Sequence, residues 1–470
     1  MFRSGGMGGW RSPAAGDDKG ASGGVGGHPP AVHRSALDRA PLDRRSLLRW
    51  AGTAAVAAPA AGVLAACGGG SSSGGQRKIR IGYVLPRTGA LGSYSIIDSY
   101  VVASMRRILA DGVKVGGRTY PVEIFVRDSA SDRHGAGIAA TDLIFKDKVD
   151  IVLAGGTSDT AIPVADQCEI NQVPCISTIA PWQSWWYGRG GNVDMPFHWT
   201  YHFYWGVDDV VATYVAMWRQ LGVTKVGLVY PEDDDGRAFA SQDFGIPTIS
   251  RFNFQVTSPG QAGFQPGTDA FRDYVEQFKQ AGVQSVVGVA QAADLATFQR
   301  QVRAGNFTPK ALTMSKALDF QEDVRALGSN GDALTTDVGW SPSHPFRSSL
   351  TNRTSRDLAN DFATTRGRGW SPTLGFVYAL FEVAVKALGG AASLDREAIV
   401  AAIREVDAQT IVGPVAFGSQ PNVPKNVARV GVVGGQWDKS DTDFVLKIVN
   451  DSGNPRVPMD SQLRALPEQV

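Results

Sequence analysis

Few residues in this sequence point to covalent, metal or nucleic-acid chemistry. The 470 residues include only three cysteines, and 46 basic residues are balanced by 45 acidic ones. There is no phosphate-binding loop and no His-Glu-x-x-His pattern, and no paired nucleophile and base stand out. The near-neutral charge leaves no basic surface for nucleic acid. We therefore expect no enzyme activity, no cofactor and no nucleic-acid partner.

Metal-binding patterns are also weak. His198 and His202 are four residues apart, but no third ligand accompanies them. The acidic run at residues 232–235 suits a solvated turn at a strand end better than a calcium loop, and within it Asp235 is placed to face a cleft. We therefore expect no metal site.

Long apolar runs are scarce. Residues 50–66 are alanine-rich, but 17 residues with a proline inside make a poor membrane span, and no later run is long enough. Residues 64–67, Leu-Ala-Ala-Cys, resemble a bacterial lipobox, at which a signal peptide is cut and Cys67 is lipidated. Residues 43–49 resemble a twin-arginine export signal. The alternative is an alanine run that ends in a cysteine by chance.

These features divide the N-terminal part of the chain. We expect residues 1–66 to be a disordered N-terminus plus a twin-arginine-like lipoprotein signal peptide, and residues 67–76 to be a Gly/Ser linker. We expect the protein to be exported and lipid-anchored to the outer face of the cytoplasmic membrane. The first 66 residues hold eight basic and four acidic side chains, which leaves 38 and 41 in the remainder. The mature chain is therefore slightly acidic.

Two cysteines remain after Cys67. Cys168 and Cys175 are seven residues apart, at a predicted helix end and at the next strand. Because an exported protein leaves the reducing cytoplasm, a disulfide between them is compatible with this spacing. Two buried free thiols are equally compatible with it.

Strand-like and helix-like patterns alternate through the rest of the chain. Residues 79–85, 122–126 and 151–154 are short apolar runs typical of buried strands, with helical spacing between them. The alternation restarts at residues 225–230 and recurs at 285–290. Repeated βαβ units imply parallel sheets covered by helices on both faces. We expect an α/β fold with two doubly wound parallel-sheet lobes, because roughly 400 residues exceed what one core supports.

One strand-end loop is unusually polar. Residues 155–160, Gly-Gly-Thr-Ser-Asp-Thr, follow a predicted strand and open a helix. Ligands of open α/β sheets bind beyond the carboxyl ends of the strands, and free N–H groups at a helix start favour a carboxylate. Helix capping by the same side chains is the alternative.

The next loop is rich in aromatic residues. Five of the 11 tryptophans lie between residues 182 and 205, together with three tyrosines. Aromatic side chains at this density on a loop favour the wall of a ligand site, and we predict that Trp182 and Trp205 contact the ligand. A large loop packed on itself is the alternative.

Five segments together resemble a known family. Residues 81–89, 155–163, 223–226, 299–305 and 411–415 are similar, in order and spacing, to the leucine/isoleucine/valine-binding (type 1 periplasmic) substrate-binding proteins of ABC transporters. The resemblance covers essentially residues 77–470. It implies a lipid-anchored solute-binding protein, a monomer, that delivers a small-molecule ligand to permease subunits. A ligand sensor of the same fold that signals to a membrane partner is the alternative.

The family fold implies two lobes joined by a three-crossing hinge. On this expectation lobe 1 spans residues 77–207 and returns at about 338–418. Lobe 2 spans residues 208–337 and returns at about 419–470. The last crossing then falls near residues 413–418.

The resemblance also implies ligand contacts. Tyr94 matches the aromatic residue that flanks the ligand, and Ser158 matches the serine that holds a carboxylate, with Thr160 nearby. Other matched positions depart from the amino-acid-binding pattern, since they hold Ile179 and Pro181 (crowded by Trp182), Asp235, Gln291 and Lys316.

Lys316 is the departure from the amino-acid-binding pattern that most affects which ligand can bind. It matches an acidic residue that pairs with the ligand's ammonium, and a lysine there repels an ammonium by about 1 to 4 kcal/mol at 4 Å. We therefore expect an anionic or carbonyl-bearing ligand between Lys316 and the Ser158 loop, in preference to an α-amino acid. A solvated surface lysine is the alternative.

Overall fold

The computed structural model describes residues 76–260 and 262–467. Cys67, the twin-arginine segment and the Gly/Ser linker up to residue 75 lie outside the described residues. The strands are β1 (Ile79–Leu85), β2 (Val113–Val115), β3 (Arg118–Tyr120), β4 (Val122–Asp128), β5 (Ile151–Gly155), β6 (Cys175–Thr178), β7 (Thr200–Tyr204), β8 (Lys225–Val229), β9 (Gln255–Thr257), β10 (Ser285–Val289), β11 (Ala311–Ser315), β12 (Thr335–Val338), β13 (Asp407–Thr410), β14 (Gly413–Ala416), β15 (Val427–Arg429), β16 (Val433–Lys439) and β17 (Phe444–Asn450).

Helices alternate with most of these strands. They are α1 (Ser95–Ile108), α2 (Arg133–Phe145), α3 (Ser158–Ile170), α4 (Trp182–Tyr187), α5 (Val207–Gln220), α6 (Asp234–Phe239), α7 (Arg272–Ala281), α8 (Ala292–Ala304), α9 (Gln321–Ala326), α10 (Ser355–Arg366), α11 (Pro372–Gly390) and α12 (Arg396–Arg404). Short 3₁₀ turns cover Gly92–Tyr94, Ile246–Phe252 and Gly328–Gly331.

Local sequence explains where several helices begin. Asp132 accepts a hydrogen bond from the backbone N–H of Gly135 and caps α2, and Thr354 forms a capping box with Asp357 at the start of α10. Ser371 caps α11 and is followed by a proline at the first helical position. These caps satisfy N–H groups that have no partner inside the helix.

The first sheet has six strands in the order β15-β7-β6-β5-β1-β4, and all neighbouring pairs are parallel. The second has seven strands in the order β17-β16-β12-β11-β10-β8-β9. It is parallel except at β12-β16 and β16-β17, which are antiparallel. Strands β5, β6, β10 and β11 are buried throughout, as expected for strands covered on both faces. The predicted two-lobed α/β architecture is confirmed.

The chain crosses between the two sheets three times. It leaves the first sheet after Tyr204 at the end of β7, returns after Val338 at the end of β12, and leaves again after Arg429 at the end of β15. The last crossing was expected near residues 413–418, but there the chain forms the separate hairpin β13-β14. It then adds β15 to the edge of the first sheet beside β7, so the return to the second sheet lies about ten residues later than expected.

One helix in the described part of the chain is long and apolar enough to cross a membrane by length and composition. Helix α11 has 19 residues with a mean hydropathy of 1.4, and 78% of that stretch is buried. It packs against α1, α12 and strands β5 and β6, so its apolar surface is covered by the first lobe. We expected no apolar run after residue 66 to be long enough to span a membrane, and α11 shows that this expectation is wrong. A buried core helix can have the same length and composition as a membrane span.

Cys168 and Cys175 are free, fully buried thiols in this structure. Cys168 lies on α3 and Cys175 on β6, in one apolar cluster with Val84, Val152 and Val164. Burial, together with the neighbouring Cys175, raises the pKa of the Cys168 thiol well above its usual value. Of the two arrangements that the spacing allowed, the structure has the unbridged one.

Candidate functional site

A cavity with about 350 Å³ of empty space lies between the two lobes. Every lining residue is at or just beyond the carboxyl end of a strand, in the 3₁₀ turn that follows β1, or in the short helix that follows β8. The first lobe contributes Tyr94, Thr157, Ile179, Pro181, Tyr204 and Trp205, and the second contributes Asp235, Phe239, Val289, Ser315, Lys316, Asp319 and Asp337. This is the place where open α/β sheets bind their ligands.

Two of these residues have an unusual backbone conformation. Ile179 follows β6 with φ of 64°, and Lys316 follows β11 with φ of 67°. The left-handed region is rare for residues other than glycine and is a true outlier for a β-branched residue such as Ile179. Strain of this kind persists where the surrounding structure fixes it, and both residues line the cavity.

The two lobes touch across the cleft around this cavity. The Tyr94 hydroxyl donates to Asp319 at 3.2 Å, and the Ser93 hydroxyl donates to Asp323 at 3.3 Å. Farther out, Arg133 of α2 forms an ion pair with Asp234 of α6. These contacts join opposite lobes, so the structure represents a closed cleft.

Lys316 lines the cavity, but its charge is compensated inside the second lobe. The side chain is 6% exposed, and Nζ lies 3.1 Å from Oδ2 of Asp235 and 3.7 Å from Oδ2 of Asp233. Burial lowers the pKa of the Lys316 ammonium, but the carboxylates of Asp235, Asp233 and Asp159 raise it further, so that the net shift is upward. The lysine is therefore a charged partner of Asp235.

Asp235 also accepts a hydrogen bond from the Ser158 hydroxyl across the cleft. It therefore bridges Ser158 and Lys316, the two residues between which we expected the ligand. That expected position is wrong for this closed arrangement, since a side chain of the protein fills it. Lys316 also repels a ligand ammonium less than an unpaired lysine would, because its charge is already paired with Asp235 and Asp233.

Thr157, which was not among the residues predicted from the sequence, lines the cavity where Ser158 was expected. It is the N-cap residue of α3, yet its side chain makes no capping bond. The hydroxyl is buried without a hydrogen-bond partner, and the same holds for the indole N–H of Trp205. Both residues line the cavity. The signal that could have identified Thr157 is its position directly before the first helical residue.

Four of the predicted ligand contacts lie outside the cavity lining, namely Ser158, whose bond to Asp235 is described above, and Thr160, Gln291 and Trp182. The Thr160 hydroxyl is 2.9 Å from the hydroxyl of Ser129, with which it shares a hydrogen bond. Gln291 is the N-cap of α8 and makes no side-chain cap bond. Trp182 is buried in a cluster with Ile162, Trp185 and Trp186.

The aromatic loop is therefore mostly core. Trp185 and Trp186 are at most 1% exposed, and Arg189 lies 4.5 Å above the Trp185 ring and 3.9 Å above the Phe197 ring. Only Trp205 and Tyr204, at its end, reach the cavity. Trp205 lines the cavity, so its role in a ligand wall stays a prediction, whereas Trp182 is packed in the core and does not line it. The density of aromatic residues in the sequence could not distinguish Trp182 from Trp205, because both a buried cluster and a ligand site can be rich in aromatic residues.

Two acidic residues of the lining were also missed. Asp319 accepts the Tyr94 hydrogen bond, and Asp337 accepts one at 2.7 Å from the Tyr214 hydroxyl. Burial, and then the charge of Asp337, raises the pKa of Asp319 well above its usual value. Burial likewise raises the pKa of Asp337, against hydrogen bonds from Tyr214 and Ser315. Their positions after β11 and at the end of β12 are the signal that could have found them.

The two histidines of the weak metal pattern make separate contacts. The His202 ring lies 2.9 Å from Ser177 and 2.8 Å from the Ala180 carbonyl, and burial lowers its pKa to about 3. His198 pairs with Glu397 at 3.0 Å. In residues 76–260 and 262–467 no group of three or more His, Cys, Asp or Glu residues is arranged to hold a metal ion.

Comparison with known proteins agrees with this geometry. A sequence model described as periplasmic binding protein matches residues 78–438. A leucine-binding protein, LivK, from Thermotoga maritima is 19% identical with a TM-score of 0.64, over 78% of this chain and 97% of that one. A solute-binding protein from Rhodopseudomonas palustris in complex with 4-hydroxybenzoate is 16% identical with a TM-score of 0.62, over 80% and 96%. LivJ from Streptococcus pneumoniae in complex with isoleucine is 14% identical with a TM-score of 0.61, over 80% and 100%.

At these identities the solved structures show the fold, and the sequence model shows the family. The family and the similar structures are solute-binding proteins of the ABC-transporter type and are not enzymes, and the family implies a location outside the cytoplasm. The chain belongs to the periplasmic binding protein family.

Proposed function

We propose that this protein captures a small organic ligand with a carboxylate or carbonyl group between its two lobes and delivers it to the permease subunits of an ABC importer. The observation that carries the proposal is a cavity closed from both sides that contains two buried hydrogen-bond donors without acceptors, Thr157 and Trp205. Binding requires no catalysis, because ligand binding shifts the population from an open to a closed form.

The unsatisfied donors argue for an acceptor group on the ligand. A buried polar group without a partner costs about 1–3 kcal/mol, and a ligand oxygen at Thr157 and Trp205 would remove that cost. Thr157 also marks the start of α3, where free N–H groups and the helix dipole favour negative charge. Isoleucine, 4-hydroxybenzoate and 3,4-dihydroxybenzoic acid, which bind to proteins of this fold, all carry a carboxyl group.

The remaining walls suit an apolar or aromatic body. Tyr94, Tyr204 and Phe239 surround the cavity, and Ile179 and Pro181 complete its apolar side. Stacked and edge-on rings contribute about 0.5–1.5 kcal/mol each beyond burial of their area. An aromatic acid or amide therefore fits the lining, and an α-amino acid is a weaker candidate that the binding test must include.

Export and anchoring complete the proposal. Residues 43–67 would direct twin-arginine export and attach lipid to Cys67, so that the mature monomer is tethered to the outer face of the membrane beside its permease. Replacement of Cys67 by alanine should release the exported protein from the membrane fraction. Retention of this variant in the membrane fraction would contradict the lipid anchor while leaving ligand capture untouched.

Thermal unfolding of the full-length protein against four ligand panels tests ligand capture. The panels are amino acids, mono- and dicarboxylates, aromatic acids, and amides. A ligand at 100 times its Kd adds roughly 2.7 kcal/mol to the unfolding free energy, which gives a clear rise in Tm. If no acid or amide raised the Tm, the proposed ligand class would be overturned.

Measurement of cellular uptake of the ligand that binds would then distinguish transport from sensing. Deletion of the gene should abolish high-affinity uptake of that ligand by cells, and the wild-type gene should restore it. Unchanged uptake together with tight binding would favour the sensor instead.

A further inference from the structure

The end of the first lobe that lies opposite the cavity carries exposed apolar and basic side chains. Strands β1, β4, β5 and β6 are parallel, so their amino ends lie together at the sheet edge farthest from the cavity. Helices α2 and α3 run back to that edge and end there. We call this end the basal surface, and it is formed by Arg77, Lys78, Phe145, Lys146, Lys148 and Ile170.

Two large apolar side chains of the basal surface are exposed. Phe145 is 59% exposed and Ile170 is 75% exposed. Phe145 is the last residue of α2 and Ile170 is the last residue of α3, and these two helices pack against each other. Single exposed apolar residues are ordinary on protein surfaces, but two at neighbouring helix ends beside basic residues indicate a contact surface.

The charge next to these residues is mainly positive. Four basic and two acidic residues line a surface depression at this end, among them Arg77, Lys78 and Lys148. Arg77 lies 3.0 Å from Asp150 and Lys78 lies 3.6 Å from Glu123, yet both basic side chains remain more than half exposed. Lys148 forms no ion pair with any residue that the structure describes. Exposed pairs are weak, so all three cations are available to an external anion.

The chain also enters the folded lobe at this surface. Gln76 lines the same depression, and its side-chain amide donates to the Thr119 carbonyl at 3.2 Å. Gln76 is nine residues after Cys67, a distance of about 30 Å at most for a fully extended chain. With the lipid anchor proposed above, the basal surface is therefore the part of the folded protein that is tethered closest to the membrane.

We propose that the basal surface binds an anionic membrane, with Phe145 and Ile170 inserted at the level of the headgroups and the basic side chains against lipid phosphates. Apolar residues flanked by Lys and Arg bind such an interface through burial of apolar area together with electrostatic attraction. This inference goes beyond the proposed function, because the contact is separate from the ligand cavity and from the lipid on Cys67. It holds the first lobe in one orientation at the membrane.

Sedimentation with lipid vesicles tests the assignment. The full-length protein carries Cys67→Ala and is made in the cytoplasm, so that no lipid is attached. The vesicles are phosphatidylcholine alone or an equimolar mixture with phosphatidylglycerol. We expect binding to the mixed vesicles to be at least about tenfold tighter than to the neutral ones and to weaken as salt rises, because salt screens the attraction between basic side chains and anionic lipid.

Residues 1–66 are themselves basic, with eight Lys and Arg against four acidic residues, so the surface is located by variants that all share them. The double variant Phe145→Ser, Ile170→Ser should bind the mixed vesicles about tenfold more weakly, because it loses the inserted apolar area. Lys148→Glu changes the charge by two and should weaken binding about thirtyfold, since one charge near an anionic surface is equivalent to roughly fivefold in affinity.

Matched controls lie in the second lobe. Phe252 is 52% exposed, and Lys439 is exposed at the end of β16. Phe252→Ser and Lys439→Glu repeat the same changes of side chain away from the basal surface, so vesicle affinity should stay within about twofold of the parent protein. Because all the substituted side chains are exposed, each variant should keep the parent Tm, which checks that it is folded.

The outcomes separate this inference from the proposed function. Equal losses in the basal and control variants, or equally tight binding to neutral vesicles, would overturn the assignment. A dimer in sedimentation equilibrium that is lost in Phe145→Ser, Ile170→Ser would assign the surface to a second copy of the chain instead. Ligand capture is measured without lipid, so none of these results affects it. Silent ligand panels beside intact vesicle binding would overturn the proposed function alone.

Discussion

Asp235 contacts both lobes, one with each carboxylate oxygen. Its Oδ2 lies 3.1 Å from Nζ of Lys316 in its own lobe, and its Oδ1 accepts a hydrogen bond from the hydroxyl of Ser158 in the other lobe. The lysine therefore holds in place the carboxylate that the first lobe meets when the cleft closes. Stability of the second lobe and closure of the cleft depend on the same side chain.

Replacement of Lys316 by methionine should destabilise the protein by about 3 kcal/mol. The substitution keeps the length of the side chain but leaves the carboxylates of Asp235 and Asp233 buried without a cation, and breaking one side of a buried pair has a cost of this order. Urea unfolding measures the loss. The double variant Lys316→Met, Asp235→Asn should recover at least half of it, and a double variant no more stable than the single one would show that the pairing is not the cause.

Replacement of Thr157 by valine should weaken binding of a carboxylate or carbonyl ligand about tenfold. Valine has nearly the same shape but no hydroxyl, so the lining loses one donor to the ligand while the start of α3 keeps its backbone. Titration calorimetry with the ligand identified from the panels measures the change.

Thr160→Val is the matched control for that substitution. Thr160 lies one turn along the same helix, but its hydroxyl contacts Ser129 and does not line the cavity. Ligand affinity should therefore stay within about twofold of wild type, even if stability falls by about 1 kcal/mol through the lost hydrogen bond. Equal losses of affinity in both variants would contradict a direct role for Thr157.

Much of the fold followed from sequence because buried parallel strands leave a clear signal. The runs at β1, β5, β8 and β10 are short, apolar and separated by helical spacing. The last crossing was misplaced because β15 has only three residues and joins the sheet at its edge. A strand that short has no periodicity of its own, and its position depends on pairing with β7.

The site was harder to predict, since contacts made across the cleft are not encoded locally. Tyr94, Ile179, Pro181, Trp205, Asp235 and Lys316 were placed in the lining by strand-end position and family resemblance. Thr157 was missed in favour of Ser158, its neighbour, because only the structure shows that Ser158 bonds to Asp235. Asp319 and Asp337 were missed because their proximity depends on two separate strands.

Arg133 should contribute to closure through its ion pair with Asp234. Its side chain is 47% exposed, and exposed ion pairs contribute about 0–1 kcal/mol, so Arg133→Gln should weaken ligand binding only about twofold to fivefold, and less at high salt. Arg237 pairs with the same aspartate from within the second lobe, which makes Arg237→Gln a matched control with unchanged affinity. If Arg237→Gln weakened ligand binding more than Arg133→Gln did, Asp234 would act through the local structure of the second lobe and not through closure of the cleft.

Glu382 should make stability depend on pH. It is fully buried on α11, accepts hydrogen bonds from the backbone N–H groups of Ser349 and Ile411, and burial raises its pKa to about 7. A carboxyl whose folded pKa exceeds its unfolded value of 4.5 favours the folded state when protonated. Its contribution is therefore present below pH 4.5 and is lost as the pH rises to about 7, by roughly 3 kcal/mol in total.

The variant Glu382→Gln isolates this effect. Glutamine has no charge to bury, so the unfolding free energy of the variant relative to wild type should rise as the pH increases from 4.5 to 7 and then level off. Its amide can still accept from one of the two N–H groups but not from both, so the variant should be the less stable protein at pH 4.5. Chemical unfolding at four or five pH values measures both differences. A difference that stays constant across this range would show that Glu382 does not change protonation there and that its ionised form is held by the two N–H groups.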